Sequence, residues 1–363
     1  LSNFYGEFGV IDVLNLNGNL IGTLNDFSVN QLDVESDYGM IIKGDLKFVN
    51  AIDTKNGFSF EGNLKNVTAN YQELKSVLPN LLGKTLPTEF KRLGDFTLTG
   101  KTFINEDKLD LNVVVVSEIG TTKANLKLTN IANIDDANYK GNVELIDFNI
   151  GKFFDESFFE KITLNGDVNG TGFRIDNVNT GIVGVIKKID FNGYTYQDLN
   201  VNGLFQNRLF NGNLNVNDEF LKMRFNGLAD FSSKTNKFDF TANILDADLV
   251  KINLYTRDSI SKIKGQLEFD ILGNSFDNII GKTTFNDLEY TNQKQTYNFK
   301  RFVVSSTVKD NIKTIDINKN SEADDIAQGF ITGDFKFSEL IHLTQNALGS
   351  IYANYIPYKV APN

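Results

Sequence analysis

Acid–base and metal chemistry draw on histidines, cysteines or paired carboxylates at defined spacing, and this chain of 363 residues supplies few of them. Its one histidine, His342, sits in a stretch of helical spacing, so a histidine-dependent triad or multi-histidine metal site would rest on a single side chain. Cysteine is absent, which removes thiol nucleophiles, thiolate ligands and disulfides. Asp316, Asn318, Asn320 and Glu322 have the spacing of the first ligands of a calcium loop. Ser321, however, stands where the turn glycine belongs, and Ala327 where a bidentate glutamate should close the site. Gly170-Thr171-Gly172 is too short for a phosphate loop and opens no helical pattern. Carboxylates are plentiful, but no spacing singles out a pair for glycosidic or other acid/base work. We therefore expect no enzyme, no metal site and no cofactor.

The elements that would position side chains are strands. From Leu14 to Leu24 the chain alternates, with Leu14, Leu16, Gly18, Leu20, Gly22 and Leu24 on one face. Asn15, Asn17, Asn19 and Thr23 take the other, Ile21 being the exception. The pattern returns at Leu221, Met223, Phe225, Gly227, Ala229 and Phe231, and again at Phe238, Phe240, Ala242 and Ile244. Their neighbours include Lys222, Arg224, Asn226, Asp230, Asp239, Thr241 and Asn243. Period two means strands with one apolar and one wet face. Such strands recur along nearly the whole chain between Asn/Gly/Asp turns. Glycine-acid or glycine-amide pairs (Gly44-Asp45, Gly62-Asn63, Gly141-Asn142, Gly166-Asp167, Gly212-Asn213, Gly333-Asp334) read as turn exits.

The expected fold class is all-β: a long antiparallel repeating β-groove, continuous over 1–363, with short helical inserts at about 70–94 and 338–355. In the first insert Tyr71, Leu74 and Leu78 fall at helical spacing, Pro79 stops the turn, and Pro87 opens a second short helix. That helix carries Phe90 and Leu93 and ends at Gly94. In the second, Leu340, Ile341, Leu348 and Tyr352 share a face behind Ser338 as N-cap. Both inserts read as covers over the edge, end or apolar face of the sheet. An offset of 99 residues aligns Tyr139, Val143, Leu145 and Asp147 with Phe238, Ala242, Ile244 and Asp246. It suggests a repeat of 123–221 in 222–320, longer than the familiar solenoid periods.

Composition sets bounds. An apolar content of 41% permits extensive burial, and four prolines suit long uninterrupted ladders. The net charge of −10 comes from interspersed acids and bases, which disfavours a nucleic-acid surface. No stretch approaches the ~18 apolar residues of a membrane helix. The chain opens in a strand-like pattern without a leader, and we expect it to be an internal piece of a longer polypeptide.

One family shares local runs with this chain. The run 147–154, Asp-Phe-Asn-Ile-Gly-Lys-Phe-Phe, is followed by 162–173, Ile-Thr-Leu-Asn-Gly-Asp-Val-Asn-Gly-Thr-Gly-Phe. With Phe191-Asn-Gly-Tyr-Thr-Tyr196, Phe238-Asp-Phe-Thr-Ala242, Ala247-Asp-Leu249 and Asn346-Ala-Leu-Gly-Ser-Ile-Tyr352, these runs resemble the TamB (translocation and assembly module) proteins of Bacteroidetes-type bacteria. That family belongs to the AsmA-like group of repeating β-groove proteins. The resemblance implies an inner-membrane anchor in the full-length protein and a reach across the periplasm toward the outer membrane. It also implies a BamA/TamA-like outer-membrane barrel as partner, engaged through regions outside this chain. The implied activity is phospholipid movement between the membranes, with a role in outer-membrane biogenesis and protein assembly.

The alternation gives the groove an apolar lining of Leu14, Leu16, Leu20, Leu221, Met223, Phe225, Phe231, Phe238, Phe240 and Ile244, which the resemblance implies would hold phospholipid acyl chains. A transmembrane β-barrel also alternates apolar and polar residues. The helical inserts, the lack of tryptophan and the charged strand centre Lys222-Met-Arg224 favour the groove. A structural or adhesin β-array is the third reading.

Overall fold

A computed structural model describes residues 14–37, 39–77, 86–157, 159–275, 277–318 and 328–336. An extended strand satisfies its backbone only by pairing sideways, and here most consecutive strands are joined by short turns, with β4 and β5 joined through the helical insert. The architecture is all-β and antiparallel, interrupted by short helices.

Two compact units divide the chain: Leu1–Lys222 with Lys251–Leu254, and Met223–Val250 with Tyr255–Asn363. The first contains β1 (Leu14–Gly22), β2 (Phe27–Ser36), β3 (Ile41–Val49), β4 (Ser59–Ala69), β5 (Phe96–Asn105) and β6 (Lys108–Ser117). It continues with β7 (Gly120–Thr129), β8 (Asn138–Asn149), β9 (Phe159–Thr171), β10 (Asn179–Phe191), β11 (Tyr194–Gln206) and β12 (Leu209–Asn217). Each pairs antiparallel with the next. The second unit holds most of β13 (Leu221–Asp230), then β14 (Lys237–Asp248), β15 (Ser261–Leu272), β16 (Ile280–Asn292), β17 (Thr296–Lys309), β18 (Ile312–Ile317) and β19 (Gly329–Gly333). From β14 onward these also pair in order. Among the described residues, strands within each unit pack closely only on their sequence neighbours.

Turn chemistry explains the tight hairpins. Asn192-Gly193, Asn207-Arg208 and Asp310-Asn311 hold φ of 52° and 73°, 43° and 61°, 53° and 65°. Two positive φ values in a two-residue loop match the right-handed strand twist.

The glycine-acid pairs are not turn exits, which corrects the reading above. Gly44, Gly62, Gly141, Gly166 and Gly212 lie inside β3, β4, β8, β9 and β12, and of that set only Gly333 ends a strand. At Gly44, Gly141 and Gly212 the reason is close backbone approach. At Gly141 φ is 149°, and a Cβ would lie 2.0 Å from the Asn125 carbonyl oxygen on the neighbouring strand.

Bulges keep one face apolar over strands too long for strict alternation. β8 shifts register between Leu145 and Phe148, and β14 shifts between Ile244 and Ala247, ninety-nine residues on. In β8 the inserted Asp147 adopts φ 47°, and both flanking apolar residues stay on the same side.

The short helices begin where side chains can satisfy their free N–H groups. Helix α1 (Tyr71–Val77) has a capping box: the Glu73 N–H donates to Asn70 Oδ1 at 3.0 Å, and the Asn70 N–H to Glu73 Oε2 at 2.8 Å. Pro87 precedes the 3-10 helix Thr88–Leu93, and Gly94 at φ 69° ends it, as its sequence suggests. Unexpected were the 3-10 helix Ile131–Asp136 and helix α2 (Ile150–Phe154), whose cap Asn149 accepts from the Lys152 N–H at 2.8 Å. The 338–355 insert and His342 lie outside the described residues, as do Leu78, Leu81 and Leu82 of the first insert.

Candidate functional site

Cross-strand register sorts the apolar side chains of the first unit into rows. One row runs Val34, Ile42, Val67, Leu98 and Val115 across β2–β6. Toward the other strand ends, Phe27, Phe48, Phe60, Ile104, Leu109, Leu128 and Tyr139 form a second row across β2–β8. Phe27 and Phe48 stack at 4.8 Å, and Phe48 meets Phe60 at 5.0 Å. Between the rows, small and large residues alternate as Gly44, Leu64, Gly100 and Val113. All these positions face one side, because residues directly opposite across a ladder share a face.

Helical segments cover both ends of this track. Leu74 of α1, Leu93 of the 3-10 helix, and Ile150 and Phe153 of α2 join Val67, Phe96, Phe148 and Ile162 in one apolar cluster. Ile131 and Ile134 cap a second cluster around Phe60, Leu109 and Leu128. Of the first insert, Leu74, Phe90 and Leu93 pack in the first cluster and Tyr71 is buried.

In the second unit the face carries a line of phenylalanines. Phe225 meets Phe240 at 4.8 Å, Phe240 stacks on Phe269 at 4.8 Å and 24°, Phe269 meets Phe285 edge-on at 6.4 Å, and Phe285 meets Phe302 at 6.0 Å. One ring per strand runs from β13 to β17, each half-buried.

Most of the expected lining residues fall on these surfaces. Leu221 is buried, while Met223, Phe225, Phe238, Phe240 and Ile244 are half-buried, and Lys222, Arg224 and Asp239 are exposed. Phe231, just past β13, is 48% exposed but touches the Phe238 ring at 5.3 Å. Leu16 and Leu20 pair opposite Val34 and Val29 at 66% and 65% exposure, and Leu14 pairs opposite Ser36. Sequence reasoning missed Phe269, Phe285 and Phe302. The signal for the first was present in Leu267, Phe269 and Ile271, an alternation as clean as those used.

The calcium-like run is put to structural use. Asp316 lies in β18, and the buried Asn318 accepts the Val303 N–H through Oδ1 at 2.8 Å, while Asn320 and Glu322 lie outside the described residues. No group of three potential metal ligands gathers among the described residues, and none of their helices is long and apolar enough to cross a membrane.

The best-buried acid serves a turn. Asp218 accepts the Tyr194 hydroxyl at 2.6 Å and the backbone N–H groups of Gln197 and Phe220 at 2.9 Å each. Desolvation first, then the Asp218 carboxylate, pushes the Tyr194 phenol well above its ordinary range. Comparison with protein-family models, with curated proteins and with solved structures gives no match.

Proposed function

We propose that this chain is a segment of a bridge-like lipid conduit of the TamB kind. It would carry phospholipids between the inner and outer membranes across the periplasm and support outer-membrane biogenesis. The observation that carries this reading is the row-wise continuity of the apolar face. Rows, largely buried against the helical segments, cross one strand pair after another in the first unit, and the half-buried phenylalanine line crosses five strands in the second.

The energetics fit such a surface. A phospholipid leaving a bilayer exposes two acyl chains, and at ~0.8 kcal/mol per methylene this costs on the order of 20 kcal/mol. An apolar track removes much of that cost while leaving the headgroup wet. It need hold no lipid tightly, since movement requires each step to be nearly level. Anchoring in the inner membrane and docking on an outer-membrane barrel of the BamA/TamA kind would fall to regions outside this chain.

Lipid extraction tests the proposal. The purified chain should bring phospholipid with it, detected by mass spectrometry, and Phe240→Asp with Phe269→Asp should strip it from a folded protein. A folded wild-type chain free of lipid would overturn the conduit reading and favour a structural β-array.

A further inference from the structure

Strands β2–β7 carry a depression of about 610 Å³, lined mainly by polar-face residues together with Leu46, Leu111 and Leu126 of the apolar clusters. One row across it runs Lys47, Glu61, Phe103, Asp110 and Lys127, each directly opposite the next. A second runs Asn63, Lys101, Asn112 and Asn125. Opposite charges facing each other across a ladder are placed to close, as Lys123 and Glu144 do at 3.0 Å on the same face. In the depression they stay apart. Among the described residues, Lys47 forms no ion pair with Glu61, nor Asp110 with Lys127, and Asn112 and Asn125 make no side-chain hydrogen bond. Phe103 is the aromatic side chain lining the depression; it is half-buried and belongs to neither apolar cluster.

We propose that this depression binds a neutral, hydroxyl-rich glycan. Its charges are mixed, with Lys47, Lys101 and Lys127 against Glu61, Asp110 and Asp45, the last already ion-paired with Lys65 at 3.1 Å. A polyanion meets three carboxylates and a polycation three ammonium groups, so a ligand of either sign meets repulsion as well as attraction. A polyol suits both sets, because each hydroxyl donates to a carboxylate and accepts from an ammonium or amide N–H. The C–H face of a pyranose can lie on Phe103 while its rim hydroxyls reach Glu61 and Asp110 on the adjoining strands. Six strands at ~4.8 Å apart span roughly 24 Å, room for several sugar rings. This surface lies on the opposite face from the apolar rows, so glycan binding and lipid carriage stand or fall separately.

The test is calorimetric titration of the chain with chitohexaose and cellohexaose, and with an oligogalacturonate of equal length as anionic control. At least one neutral hexasaccharide should bind, and more tightly than the anionic one. Phe103→Leu, which keeps apolar bulk but removes the ring, should weaken binding about tenfold or more. Glu61→Gln combined with Asp110→Asn, both outside the apolar clusters, should do the same with lipid content unchanged. Absence of binding by both neutral sugars at millimolar concentration would overturn the proposal. So would tighter binding of the galacturonate, or unaltered affinity in either variant with a native circular dichroism spectrum.

Discussion

Phe240 and Phe269 lie directly opposite each other on β14 and β15, their rings stacked 4.8 Å apart at 24°. The pair joins the two halves of the phenylalanine line and is half-buried, so it contributes both to the fold and to the exposed apolar surface. Offset aromatic pairs are worth about 0.5–1.5 kcal/mol beyond their area. A double-mutant cycle on Phe240→Leu and Phe269→Leu, read by urea unfolding, should give a coupling of about 1 kcal/mol. A coupling near zero would mean that the stacking adds nothing beyond apolar burial.

On the proposed conduit reading, a carboxylate on the track should interrupt passage, since each acyl chain crossing it would meet a desolvated charge. In cells carrying the full-length protein, Phe225→Asp and Phe240→Asp should weaken the outer-membrane barrier to detergents and large antibiotics. Arg224→Asp alters charge on the exposed face and should leave the barrier intact. Equal behaviour of the two classes at matched expression would count against the conduit.

Gly141→Ala should destabilise the first unit by about 2 kcal/mol or more, because both φ and the approach of the Asn125 carbonyl exclude a side chain. Gly181 in β10 is the control. Its nearest heavy atom to an added Cβ is 3.7 Å away, so Gly181→Ala should be neutral or stabilise by about 0.5 kcal/mol.

Alkaline stability should depend on Tyr194. Its folded pKa is raised above the unfolded value of ~10, so its contribution is complete below that pH and is lost as pH climbs toward the folded pKa. Tyr194→Phe should therefore flatten the stability curve above about pH 10, measured as urea midpoint against pH. Asp218→Ala should cost about 3 kcal/mol at neutral pH, since it strands two backbone N–H groups and a phenol.

If the first insert is a cover, replacing residues 71–93 with a short glycine-serine linker should expose Val67, Phe96 and Phe148, which now pack in the cluster that holds Leu74 and Leu93. Binding of a hydrophobic dye should rise several-fold. Unchanged dye binding in a folded variant would remove the covering role.

Strand faces were legible because alternation is local: Phe238, Phe240 and Ile244 declare their side without knowledge of a partner strand. The Pro87-to-Gly94 helix was equally readable, since its start and stop residues are covalent neighbours. Gly141 was misread because the pressure on it comes from the Asn125 carbonyl, sixteen positions away in the chain. Helix α2 escaped notice because Ile150-Gly-Lys-Phe-Phe154 is too short for periodicity to show; its only local mark is the Asn149 cap. The Lys47–Glu61–Phe103–Asp110–Lys127 row has no linear signature, since its members come from five strands and meet only through register.

Pairing in chain order bears on how the protein acquires its structure. Within each unit every ladder with an established register joins strands consecutive in sequence, so most closures span short loops with a small entropy cost, the insert between β4 and β5 being the long exception. Low sequence separation favours rapid growth from a hairpin nucleus, one strand added at a time. Such a chain needs no distant segment before it begins to fold, so its strands can pair in order as they emerge from a ribosome. A break at the Asn192-Gly193 turn would leave each flanking strand still paired on its other side.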